Sequence, residues 1–217
     1  MKQSIQLSDH FTYGRLLRFT LPSIGMMIFT SIYGVVDGFF VSNFAGKTAF
    51  AAINLIMPLL MIFSTVGFMF GTGGSALVAK TLGEGDKEKA NRYFSLFVYV
   101  CATLGIAFTV IGMFIAPPVA EALGAEGQML HDAVLYSRII LAALPFGVLQ
   151  LLFQSFMITA EKPMLGLWVT VSSGVTNMVM DAVLVTLLPQ EWKLTGAAIA
   201  TALSQTCLLY TSDAADE

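Results

Sequence analysis

Long uninterrupted apolar blocks alternate with short polar segments along this chain. The blocks cover roughly residues 16–41, 50–79, 93–118, 133–160, 163–188 and 195–210. Most run to 20 residues or more, the length a helix needs to cross about 30 Å of hydrocarbon at 1.5 Å per residue. They are continuously apolar and do not alternate with period two, so the pattern predicts helices and not barrel strands. Turn and loop residues gather at 42–47, 83–92, 117–132, 161–163 and 189–194, and these are the expected connections. The first block is too long for the core of a signal peptide, and no small-x-small site follows it, so we expect it to stay in the chain.

The expectation is an all-α, polytopic membrane protein, a six-transmembrane-helix bundle over 1–206. The sixth block weakens after about 15 residues and turns into Thr211-Ser-Asp-Ala-Ala-Asp-Glu217. Residues 207–217 therefore read as a truncated or non-native tail, the alternative being a short native span with an acidic tail.

Composition agrees with the pattern. Of 217 residues 56% are hydrophobic and 12% charged, about half the charged share of a soluble domain. The net charge of −3 and the scattered basic residues give no reason to expect a nucleic-acid partner. Their placement matters more. Lys2, Arg15, Arg18, Lys80, Lys87, Lys89, Arg92 and Lys162 fall at the N-terminus and in alternate loops, against Lys47 and Lys193 in the others. The positive-inside bias then puts the N-terminus in the cytoplasm of a plasma (inner) membrane. Arg138 remains, near the outer end of the fourth span, where it can snorkel to the interface.

Cys101 and Cys207 lie in apolar stretches without disulfide or metal spacing and read as small buried hydrophobes. His10 and His131 lie outside the apolar blocks and read as surface residues. Gly34/Gly38 and Gly67/Gly71 are GxxxG pairs, which suggest close helix packing.

An ionisable group within the bilayer is the sharpest functional signal, because it costs several kcal/mol unless paired or hydrated. Asp37 and Asp181 are the two acids well inside spans. Asp37 lies about 6 Å and Asp181 about 10 Å before the outer ends of their spans, at 1.5 Å per residue. Matched depth lets them share one site. Asn177, four residues before Asp181, projects from the same helical face. An amide carbonyl beside carboxylates is a hard-oxygen set suited to Na⁺ or to a shared proton. The competing reading is an interhelical hydrogen bond that serves packing alone. Pro22 and Pro145 interrupt the backbone ladders of the first and fourth helices, giving a fixed kink or a hinge. Gln150 and Gln154 are candidates for lining a cavity. Twelve Met and seventeen Phe suit a pliable pocket for apolar cations.

Taken in order, these segments resemble the N-terminal half of the MATE (multidrug and toxic compound extrusion) transporters. Leu21-Pro22 and Tyr33-Gly-Val-Val-Asp37-Gly-Phe-Phe-Val41 lie in the first helix, and Leu82-Gly-Glu-Gly-Asp-Lys-Glu-Lys-Ala90 closes the second. Asn177-Met-Val-Met-Asp181 lies in the fifth, and Gly196-Ala-Ala-Ile-Ala-Thr201-Ala-Leu-Ser204 opens the sixth. The match covers about 14–206; Ser42 stands where glycine is common. The resemblance implies one lobe of a twelve-helix antiporter, bacterial, that exports drug-like and often cationic compounds against Na⁺ or H⁺. It implies a cation site at Asp37, Asn177 and Asp181, joined by Thr201, a bend at Pro22, no cofactor, and a missing C-terminal lobe as partner.

Three other readings compete with this one. A lipid-linked saccharide flippase or polysaccharide exporter of the same superfamily would want basic residues in its cavity, and Arg138 is the one basic residue within a span. An intramembrane aspartyl protease would use the two acids as a dyad, but neither sits in a Gly-x-Gly-Asp context, so no enzyme activity is expected. A non-transporting assembly subunit would leave the intramembrane acids unexplained.

Overall fold

The computed structural model describes residues 13–160 and 162–213, without the side chains of 15, 18, 19 and 207–213. His10 and residues 214–217 of the expected tail lie outside the described residues. Six helices follow in order: α1 (Tyr13–Phe40), α2 (Lys47–Gly83), α3 (Lys87–Ala122), α4 (Gly127–Thr159), α5 (Pro163–Leu187) and α6 (Lys193–Asp213). A π-helical turn, Val41–Ala45, extends α1, and a 3₁₀ turn, Gln190–Trp192, precedes α6.

Among the described residues five helices are long and apolar enough to cross a membrane, all but α6. The helices outrun the apolar blocks, most clearly at the junction of α2 and α3, where the polar ends are capped. Gly85, at φ +87°, ends α2 in a left-handed turn in which Asp86 N–H bonds to Thr81 O and Gly85 N–H to Leu82 O. Asp86 then caps α3 by accepting from Lys89 N–H at 3.0 Å. The expected loop 83–92 shrinks accordingly to 84–86. Gly124, at φ +92°, repeats the device at the end of α3. The expected loop 117–132 is therefore corrected: α3 carries Pro117 and Pro118 internally, and α4 already contains His131 and Asp132.

The helices pack as two groups. α4 lies against α2 and α3, α5 lies against α1 and α6, and α4 and α6 join the groups. Ile56, Leu141, Val148 and Leu152 are fully buried at the centre of the first group. Gly67 and Gly71 lie on this seam: a Cβ on Gly67 would sit 2.9 Å from Val148 Cα, and one on Gly71 3.0 Å from Leu151 O. That pair acts as expected. Gly34/Gly38 does not, since Gly34 has nothing within 4 Å and Gly38 only an ordinary contact with Phe50. The close approach of α1 is made instead by α5. A Cβ on Gly166 would meet Met26 Sδ at 3.2 Å, and one on Gly174 would press on Phe29 and Tyr33. Met27, Val35 and Phe114 are among many large apolar side chains turned outward, as a surface facing lipid or further protein allows.

Candidate functional site

The small-residue face of α5 decides where the acids meet. Gly166, Thr170, Ser173, Gly174, Asn177 and Asp181 are buried on one side of that helix. With Gly174 admitting Tyr33, the next turn of α1 brings Asp37 against α5. The Asp37 and Asp181 carboxyls lie close enough to interact electrostatically. Asp181 is 0% and Asn177 2% exposed, while Asp37 is half-buried.

Two further helices close the site. Thr201 of α6 donates to Ala197 O at 3.2 Å, which leaves its oxygen lone pairs free to accept. Tyr136 of α4, 3% exposed, places its phenol in electrostatic range of both acids and reaches Thr201. Tyr33 is likewise in range of Asp37. The structure thus brings Asp37, Asn177, Asp181 and Thr201 together and adds Tyr136, which sequence reasoning missed. Its depth was the available signal. Tyr136 stands about 5 Å inside the outer end of its span at 1.5 Å per residue, level with the acids.

The electrostatics are unbalanced. Asp37 Oδ1, Asn177 Oδ1 and both carboxyl oxygens of Asp181 are buried without a hydrogen-bond partner. The Lys80–Glu84 ion pair (3.9 Å) and the His131–Asp132 contact (3.6 Å) lie elsewhere. Two desolvated carboxylates with no counter-charge would cost several kcal/mol each. A proton between them, or a small cation bound to these oxygens, removes that cost. The unpartnered donors are all oxygens, a set that suits a hard cation and not a soft metal.

The remaining candidates fall nearby or apart. Gln154 Nε2 donates to Thr170 Oγ1 at 3.4 Å and lies 3.8 Å from Met26 Sδ, tying α4 to α5 and α1 below the acids. Gln150 is half-buried. Pro22 is buried inside α1, which runs unbroken through it.

Five membrane-length helices around a buried acid and amide cluster define a multi-pass membrane protein. Residues 22–183 match the MatE family model, and the chain belongs to that family. It is 25% identical over 189 residues to Multidrug export protein MepA of Staphylococcus saprophyticus subsp. saprophyticus, covering 87% of this chain and 42% of that protein. It is 26% identical over 203 residues to the protein of the same name from Staphylococcus haemolyticus, covering 94% and 44%. In fold it is similar to an outward-facing multidrug resistance MATE family transporter of the MOP superfamily, with a TM-score of 0.84, 24% identity, and coverage of 91% of this chain and 43% of that one. The chain spans less than half the length of the curated relatives it matches, and its bundle has the fold of the corresponding 43% of that structure.

Proposed function

We propose that the whole protein is an antiporter that exports drug-like, often cationic, organic compounds in exchange for Na⁺ or H⁺, and that this lobe binds the ion. The observation that carries the reading is the set of four orphaned oxygens on Asp37, Asn177 and Asp181. A buried site with unmet negative charge binds a cation when one is offered and is destabilised when it leaves. The names of the staphylococcal relatives support the class of cargo, and the eight-to-two distribution of Lys and Arg supports a cytoplasmic N-terminus in a bacterial plasma membrane.

An ion moving inward contributes about 2.3 kcal/mol per charge per 100 mV of membrane potential. To do work it must bias the lobe between two arrangements. α1 is the proposed moving element: it carries Asp37, contains Pro22, and packs mainly on α5. The test is dye efflux from everted vesicles carrying the full-length protein under a proton or a sodium gradient. Asp37→Asn and Asp181→Asn should abolish ion-driven efflux while the protein stays inserted. Wild-type efflux in both variants would mean that the acids serve packing alone.

A further inference from the structure

Each residue around the acid pair has a neighbour one helical turn, about 6 Å, nearer the end of the lobe that carries Gly46. Beyond Asp37 is Val41, 1% exposed; beyond Asp181 is Val185, 0% exposed; beyond Thr201 is Ala197, 1% exposed. These three belong to one continuous apolar cluster. Beyond Tyr136 is Asp132, an acid 8% exposed in the same layer. Above the layer opens a cavity of 350 Å³ lined by Gly46, Lys47, Gln128, Asp132, Glu191 and Leu194. Asp132 is therefore both a wall of that cavity and the residue directly over Tyr136.

The chemistry of the cavity favours cations. Two carboxylates, the buried Asp132 and the exposed Glu191, line it with the single ammonium of Lys47, which is also exposed. Gln128 Nε2 donates to Asp132 Oδ1 at 2.8 Å, and His131 Nδ1 lies 3.6 Å from the same oxygen on the outer side. The rim is braced where Gln190 Nε2 donates to Phe44 O and Ala45 O at 3.1 and 3.3 Å. Between this polar space and the acids lie Val41, Val185 and Ala197, part of a buried apolar cluster, and an apolar constriction of that kind stops a hydrated ion until it widens.

We propose that this cavity is the vestibule through which a monovalent cation reaches the Asp37–Asp181 pair, with Asp132 as the recruiting carboxylate and Val41 and Val185 as the apolar barrier. The inference rests on the cation-site reading above. It is tested with Ag⁺, a monovalent cation that reacts with thiols, applied to one face of sealed vesicles carrying Thr201→Cys in a Cys101→Ser, Cys207→Ser background. Modification is read as protection from maleimide labelling after denaturation. Thr201→Cys should react from the face that carries Asp132. Asp132→Asn should slow the reaction about five-fold or more, the scale of electrostatic recruitment; Asp132→Glu should keep the rate, and Val185→Ala should raise it several-fold. Reaction from the opposite face alone, or equal rates in Asp132→Asn and its parent, would overturn the proposal. Labelling reads the route and dye efflux reads the site, so either can fail without the other.

Discussion

Replacing Thr109 with valine removes a hydroxyl that repairs a break in another helix. Pro145 has no N–H, so the carbonyl of Leu141, four residues earlier in α4, lacks its helical donor. Thr109 Oγ1 of α3 lies 2.6 Å from that carbonyl and 3.0 Å from Gly105 O of its own helix, so its single proton goes to Leu141. Gly105 allows the approach: a Cβ there would be 2.8 Å from Pro145 Cα. A buried carbonyl left unmet costs about 1–3 kcal/mol in water-soluble proteins, whereas side-chain hydrogen bonds between membrane helices average about 0.6 kcal/mol. We expect Thr109→Val to cost about 1 kcal/mol, close to a five-fold change in the unfolding equilibrium. Pro145→Ala returns an N–H to α4, so in that background Thr109→Val should cost only a few tenths of a kcal/mol. The assay is unfolding of the purified chain in mixed micelles by SDS, followed by circular dichroism. Equal costs in the two backgrounds would refute the argument.

Gly67→Ala should destabilise the lobe by about 1–3 kcal/mol through its clash with Val148, whereas Gly34→Ala should be neutral or gain up to about 1 kcal/mol of helix propensity; the same SDS titration measures both, and the reverse order would contradict the α2–α4 seam. Pro22→Ala in the full-length protein should lower turnover more than substrate affinity, read as efflux rate against dye-binding fluorescence. A loss of binding with turnover intact would sink the hinge. Cysteines placed at Glu84 and Glu126 should label from the cytoplasmic and the outer face respectively. Outside labelling at position 84 would invert the topology.

The spans were legible because burial in lipid leaves a one-dimensional mark, a run of apolar residues long enough to cross. Asp37 and Asp181 were legible for the converse reason, since a charge in such a run stands out, and Asn177 followed from helical spacing. Packing was only half legible. Gly67/Gly71 and Gly34/Gly38 look alike in sequence, but just the first faces another backbone, and which side of a helix meets a partner is a three-dimensional matter. The α5 seam escaped because Gly166 and Gly174 are separated by Thr170, which does not match a glycine-pair search although its hydroxyl turns back onto Gly166 O. Tyr136 escaped because an aromatic near a span end reads as an interfacial anchor. Asp132 falls in the expected loop 117–132 because it precedes the apolar block that starts at 133, yet α4 already begins at Gly127.

The central claim is that the Asp37–Asp181 pair holds a proton or a cation. Infrared difference spectroscopy of the purified chain tests it most directly, by following the carboxylic acid C=O stretch as pH is raised or Na⁺ is added. The account predicts a band that responds to one or both changes in wild-type protein and is lost in Asp37→Asn and in Asp181→Asn. A spectrum with no such band, or a band that survives both substitutions, would contradict it.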